Sequence, residues 1–127
     1  MRARLAIGEK PLDWVGSAKR DFLAFPAPVQ CEIGNALGLA QFGGKHPNAK
    51  PWKGEGPGVF EVVEDFDGDT YRAVYTVRFR HVVYVLHAFQ KKSPRGKKTA
   101  RTDIELIARR LMVARQDYEA RHGKSER

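Results

Sequence analysis

The residues best suited to chemistry lie in and directly after two runs of β-branched and aromatic residues between Tyr71 and Lys92. Arg72 lies inside the first run and His87 inside the second, and the second run ends at a basic segment. From Lys91 to Arg101 the chain has six Lys or Arg and no acid. Runs of this composition predict a strand pair. A sheet that ends in clustered cations is a platform for a polyanion.

Arg72 lies among β-branched residues in what the two-residue period predicts to be a central strand with both faces partly apolar. An unpaired guanidinium is costly to bury. We therefore expect Arg72 to pair with Glu61 or Glu64 of the neighbouring strand, or to bind an anionic ligand.

His87 alternates with Val83, Val85 and Phe89 along the second run. An imidazole titrates near neutral pH and could act as a general base. A single His in an apolar strand is more often a hydrogen-bonded core residue, so the sequence leaves both roles open.

Charge is unevenly distributed along the chain. The net charge is +8 over 127 residues, which favours phosphate-rich partners. All charged residues between 54 and 71 are acidic, whereas cations gather before them, at Lys45, Lys50 and Lys53, and after them in the basic segment. This segregation predicts a basic patch rather than a uniformly basic surface.

The segment 45–58 is rich in Pro and Gly, which predicts a loop. It carries Lys50 and Lys53 around Trp52. Such a loop could grip a nucleic-acid backbone and stack a base. The alternative is that Trp52 packs against the edge of the sheet.

Length and periodicity predict one domain over residues 1–127, with an ordered core at about 10–120. We expect a strand at 11–15, a helix at 18–24 with Ser17 as its N-cap, and a second helix from Pro28 to Gly43-Gly44. Strands are predicted at 59–66, 70–79 and 82–90, with a hairpin turn at Asp67-Gly68.

The last element is predicted to be a helix opened by a capping box of Thr102 and Glu105. Its apolar stripe comprises Ile104, Ile107, Ala108, Leu111, Ala114 and Tyr118.

Several classes of site and location are disfavoured. No apolar run approaches the roughly 20 residues needed to span a bilayer, and no secretory signal is evident. The single Cys31 fits a reducing compartment, so a cytoplasmic protein with no membrane partner is expected. Asp65-x-Asp67-x-Asp69 lacks the Gly and Glu positions of a calcium loop and is interpreted as a turn, so no metal is predicted.

The order of these elements resembles the RelE/ParE toxin superfamily, and within it the phage-derived, HigB-like branch. The match is carried by four segments, Lys50-Pro51-Trp52-Lys53-Gly54, Val59-Phe60-Glu61-Val62, Tyr71-Arg72-Ala73-Val74-Tyr75 and, above all, Val85 to Ser93. The resemblance implies an α+β, RelE-like fold: a small, mainly antiparallel sheet with an N-terminal helical hairpin and a C-terminal helix.

The resemblance also implies the toxin of a toxin–antitoxin module. Its partner would be a cognate antitoxin, expected to carry a helix-turn-helix and to supply any contact with operator DNA. HigB-like and RelE-like members are ribosome-dependent endonucleases that cut mRNA. Cleavage uses the 2′-hydroxyl as nucleophile and needs no metal or other cofactor.

By matching positions, Arg72, Lys91 and Lys92 would contact the scissile phosphate, and His87 or a Tyr would serve in proton transfer. The remaining RNA-binding residues implied are Lys50, Trp52, Lys53, Arg95, Lys97 and Lys98. Many RelE relatives carry an Arg two or three residues after the Glu of the first hairpin strand, whereas here Val63 and Glu64 follow Glu61.

Two other functions stay open. The same fold serves ParE-like inhibitors of DNA gyrase, although such chains tend to lack a basic loop like Lys91–Lys98. A phage or regulatory protein that binds nucleic acid without catalysis is the other alternative.

Overall fold

The chain folds around a five-stranded sheet, seen in a computed structural model that describes residues 5–91 and 99–124. The elements are β1 (Leu12–Trp14), α1 (Ala18–Leu23), α2 (Ala27–Gln41), β2 (Ala49–Pro51), β3 (Val59–Phe66), β4 (Asp69–Thr76), β5 (Val83–Lys91) and α3 (Arg101–His122). The strand order is β1-β5-β4-β3-β2, with β1 parallel to β5 and the other neighbours antiparallel. The predicted α+β class with a mainly antiparallel sheet is confirmed.

The two faces of the sheet carry separate cores. Tyr71, Ala73 and Tyr75 of β4 pack with α1 and α2 on one face, whereas Val74 packs with α3 on the other. This follows from the two-residue period of a strand. As predicted for a central strand, β4 is covered on both faces.

A β-bulge in β5 changes which face its last residues occupy. Val74 of β4 lies opposite His87, but the next residue, Tyr75, lies opposite Val85, so Leu86 is an extra residue. Val85 therefore faces α1 and α2, while His87 and Phe89 face α3. The expectation that His87 and Val85 lie on the same face was wrong, because a bulge moves every later residue of the strand to the opposite face.

Two predicted turns are confirmed in detail. Asp67 and Gly68 have φ values of 52° and 85° between the paired residues Phe66 and Asp69. Positive φ at both loop positions is the geometry of a type I′ hairpin. At the end of α2, Gly43 has φ 86° and its N–H donates to the Ala40 carbonyl.

Two strand boundaries differ from expectation. β4 ends at Thr76 rather than Phe79, because the Thr76 hydroxyl donates to the Gly58 carbonyl (2.8 Å) and accepts from the Arg78 N–H (3.1 Å), which turns the chain out of the ladder. The segment 45–58 is not wholly loop, since Ala49–Pro51 adds an edge strand to β3.

The start of α3 also differs. The helix begins at Arg101 with Ala100 as N-cap and no side-chain cap, so Thr102 already lies in the first turn and the capping box was wrong. Glu105 instead accepts from Arg101 Nε at 3.2 Å. Of the predicted stripe, Ile107, Leu111, Ala114 and Tyr118 are buried, but Ile104 is 43% exposed. Within the described residues, no helix is both long and apolar enough to cross a membrane.

A polar network fixes the far end of α3 to the sheet. The Tyr84 hydroxyl donates to Asp117 at 2.6 Å, and Arg121 reaches Asp117 at 2.7 Å and Asp13 of β1 at 2.5 Å. The hydrogen bond from Tyr84, aided by Arg121, holds the pKa of Asp117 below its usual value. The network therefore joins β1, β5 and α3.

We expect Tyr84→Phe to lower the free energy of unfolding by about 1 kcal/mol, since it removes the hydrogen bond to Asp117 and the longer one from Arg121, both of them partly exposed partners. A carboxyl group whose pKa is lowered on folding contributes stability above its unfolded pKa of about 3.9 and loses it as the pH falls through the folded value. Urea unfolding at pH 7 and pH 3 should show the variant's deficit shrinking in acid. An equal deficit at both pH values would contradict this account of Asp117.

Candidate functional site

A cleft of about 620 Å³ opens between β2, β3 and the start of α3. Its lining residues are Lys50, Pro51, Trp52, Lys53, Glu61, Thr99 and Ile104. β2 places Lys50 directly opposite Glu61, and paired residues point to the same face of a sheet. The cleft is therefore on the α3 face, just before the helix covers it.

Arg72 lies beside the cleft and is fixed by Glu61. Its Nη1 donates to Glu61 Oε1 at 2.6 Å, and the two side chains are only 14% and 12% exposed. Of the two acids expected from the sequence, Glu61 is thus the partner of Arg72, whereas Glu64 accepts a hydrogen bond from Asn48. Arg72 Nε is shielded from solvent and has no hydrogen-bond partner among the described residues.

Lys91 is the second cation at this point. It pairs with Thr70 while Arg72 pairs with Phe89, which makes Arg72 and Lys91 diagonal neighbours on one face. Its Nζ is shielded from solvent and makes no hydrogen bond within the described part of the chain. Burial lowers the pKa of Lys91, Arg72 lowers it further, and Glu61 acts in the opposite direction.

These groups form an incomplete polar cluster. Glu61 pairs with Arg72 and acts on Lys91 only through its charge, and each cation retains a shielded donor without an acceptor among residues 5–91 and 99–124. Shielded donors without partners are costly, and such groups in a native structure call for an explanation. An anion with several acceptor oxygens, such as a phosphate diester, would complete the cluster.

His87 lies further under α3. Its Nε2 is 2.7 Å from Asp103 Oδ1 in the first turn of α3, and its ring stacks on Phe89 with centroids 4.6 Å apart. The residue is 6% exposed, so it has little access to a ligand. This burial favours the core interpretation of His87, in which it ties the start of α3 to β5.

Trp52 and its flanking lysines have different environments. Trp52 is 8% exposed and packs in the α3-side core with Val59, while its backbone N–H donates to the Val59 carbonyl. Packing is thus favoured over base stacking. Lys50 and Lys53 are exposed at the wall of the cleft.

Of the residues that the sequence singled out, the structure makes Arg72 and Lys91 neighbours and places Lys50 and Lys53 in the lining of the cleft, to which the Arg72 partner Glu61 also belongs. Lys92, Arg95, Lys97 and Lys98 lie outside the described residues. Across residues 5–91 and 99–124, no group of three or more His, Cys, Asp or Glu is arranged to hold a metal ion.

Sequence reasoning missed Thr99, Asp103 and Ile104 at this site. Helical spacing placed Ile104 in the core stripe, although it lies one turn before the sheet-covered part of α3 and faces the cleft. The sequence marks Asp103 only as an acid in the first turn of a helix. Its contact with His87 could not be predicted, because the bulge in β5 decides which face His87 occupies.

We expect Glu61→Leu to lower the free energy of unfolding by about 3 kcal/mol, because it leaves the Arg72 guanidinium buried without its carboxylate. The double variant Glu61→Leu/Arg72→Leu should recover most of that loss, since apolar residues can replace a buried ion pair. Urea unfolding of both variants and of Arg72→Leu gives the coupling energy. If the losses of the two single variants simply add up in the double variant, Glu61 does not stabilise the buried charge of Arg72.

Residues 20–112 match the model of the family described as phage-derived Gp49-like proteins. No curated protein sequence matches the chain.

Two solved structures are similar. The first is a free Escherichia coli toxin RelE with two arginines changed to alanine, at 19% identity and a TM-score of 0.57 over 81% of this chain and 98% of that chain. The second is the Mycobacterium tuberculosis toxin–antitoxin complex RelBE2, at 21% identity and a TM-score of 0.45 over 65% of this chain and 99% of that chain.

The similarity to the Escherichia coli structure is one of fold, and it confirms the expected RelE-like architecture. The family match covers 93 residues of 127, most of the chain. The chain belongs to the family of phage-derived Gp49-like proteins and has the RelE fold.

Proposed function

We propose that this chain is the toxin of a type II toxin–antitoxin module, of HigB-like type, and that it cleaves mRNA on the ribosome. The observation that carries the proposal is the pair of shielded cationic donors, on Arg72 and Lys91, that lack acceptors beside an open cleft. The net charge of +8 and the fold shared with a RelE toxin support it.

Phosphodiester cleavage by the 2′-hydroxyl sets specific demands. The attacking oxygen and the leaving 5′-oxygen must be in line, and the crowded phosphorane carries added negative charge. Arg72, held by Glu61, presents its free donor as a fixed hydrogen-bonding group. Lys91 supplies a second positive charge on the same face.

Lys91 is also the better candidate for proton transfer. Its ammonium lies on the same face as Arg72 and can donate a proton to the leaving 5′-oxygen. His87 in this mechanism is a positioning group, because its Nε2 is occupied by Asp103 and its Nδ1 is shielded from solvent. Lys50 and Lys53 would hold flanking phosphates, and Lys92, Arg95, Lys97 and Lys98 keep their proposed RNA-binding role.

Many RelE relatives carry an arginine on the first hairpin strand that this chain lacks. Val63, two residues after Glu61, lies directly opposite Arg72 in the β3–β4 pairing. A cation at position 63 would therefore be the immediate neighbour of Arg72 on the same face. We therefore propose that Arg72 takes over the role of that absent cation from the next strand.

The partners follow from the proposed role. The chain would act in the cytoplasm on ribosome-bound mRNA and be neutralised by a cognate antitoxin. That antitoxin is expected to carry a helix-turn-helix and to make any contact with operator DNA.

We expect induced expression to arrest growth and to leave cuts in translated messages, and Lys91→Ala or Arg72→Ala to reduce cleavage by about 10²-fold or more. The assay is primer extension on a defined message in a translating extract. Equal amounts of each protein are used, and urea unfolding checks that each variant is folded. Lys19→Ala, an exposed change on α1, is the control and should cut normally.

Three outcomes separate the alternatives. Intact mRNA with accumulating DNA breaks would identify a gyrase inhibitor. Binding of RNA without cleavage or growth arrest would identify a non-catalytic nucleic-acid-binding protein. Full cleavage by Lys91→Ala and Arg72→Ala would show that the catalytic groups lie outside this cluster.

A further inference from the structure

A second cavity lies on the opposite face of the sheet. Its volume is about 250 Å³, and its lining residues are Lys10, Ala40, Gly43, Gly44, Lys45, Phe60, Tyr75 and Val77. One wall is the segment before β1, which is fixed to the end of α2 by mutual hydrogen bonds of 2.8 Å between Lys10 and Gln41. None of these lining residues belongs to the cleft described above.

Tyr75 contributes a hydroxyl group to the lining of this cavity. The residue is 1% exposed, its ring stacks on Phe60 with centroids 5.8 Å apart, and its hydroxyl has no hydrogen-bond partner among the described residues. Burial raises the pKa of Tyr75 to about 12, so the hydroxyl is protonated at neutral pH and remains a donor. A hydroxyl that lines a cavity and has no protein partner can donate to a ligand there.

The charges around the cavity are positive. Lys45 places its Nζ 5.5 Å from the centroid of the Phe60 ring, and Lys10 is the other charged residue in the lining. No acid is among the lining residues, and Glu9, the nearest acid in sequence, is occupied by Gln41 and by the Ala6 N–H. The remaining surface is apolar or glycine.

We propose that this cavity binds a small aromatic or otherwise apolar carboxylate. The carboxylate accepts from the Tyr75 hydroxyl and pairs with Lys45, while the apolar body lies against Phe60 and Val77. A pocket with an apolar lining and a few convergent polar groups is typical of small-molecule sites. A free phosphate would match the charges but would leave that apolar surface without contact.

The first test uses benzoate as the ligand, with benzyl alcohol as a neutral analogue of similar size. Benzoate should give saturable chemical-shift changes in amide NMR spectra, centred on Gly43, Gly44 and Val77, with a Kd in the millimolar range or below. Benzyl alcohol should bind about tenfold more weakly or not at all, because it lacks the charge. Inorganic phosphate should give no saturable shifts at these amides.

Two variants then test the assigned contacts. Tyr75→Phe and Lys45→Met should each weaken benzoate binding about tenfold or more, whereas Lys19→Met on α1 should bind as the parent does. Tyr75→Phe should be at least as stable as the parent without ligand, since the removed hydroxyl has no partner there. Lys45 is exposed, so Lys45→Met tests the site without disturbing the core.

The proposal is overturned if benzoate shows no saturation up to about 10 mM. It is also overturned if the shifts centre elsewhere, or if both variants bind benzoate as tightly as the parent. None of these results depends on whether the chain cleaves RNA.

Discussion

The structure depends on the burial of Arg72 in the middle of a sheet. A guanidinium in a central strand must be neutralised, and β3 supplies Glu61 at 2.6 Å to do so. That pairing accounts for one donor of a group that has several. The Arg72 Nε and the nearby Lys91 Nζ are left shielded and without acceptors in the described part of the chain, where α3 has not yet begun to cover the sheet. The residue that forms the structural ion pair therefore also keeps a donor to which the proposed RNA phosphate can bind.

Each face of the sheet packs against different helices, and both faces hold β4 in place. Tyr71, Ala73 and Tyr75 hold β4 to α1 and α2, while Val74 holds it to α3. Arg72 can thus be polar on one face because the residues on either side anchor the strand on the other. The cost of placing cations in β4 and β5 is offset by apolar burial along the rest of both strands.

Sequence reasoning recovered what depends on local chemistry. Gly43 and the Asp67-Gly68 turn were predictable because positive φ restricts the residue type, and pairing of Arg72 with an acid was one of the two outcomes expected from the cost of burying its charge. The bulge at Leu86 was not, since no residue type marks it, and it decided where His87 and Lys91 face. The start of α3, and with it Ile104 and Asp103, depended on packing against the sheet rather than on a capping pattern.

The central claim is that Arg72 and Lys91 form a receptor for an RNA phosphate. It is tested most directly by following the Lys91 side-chain ammonium by NMR through a pH titration, with and without an RNA trinucleotide blocked by 2′-O-methyl groups. We expect the pKa of Lys91 to be below its usual value in the free protein, through burial and the charge of Arg72, and to rise when the trinucleotide binds. An ordinary pKa in the free protein that the RNA leaves unchanged would contradict the account.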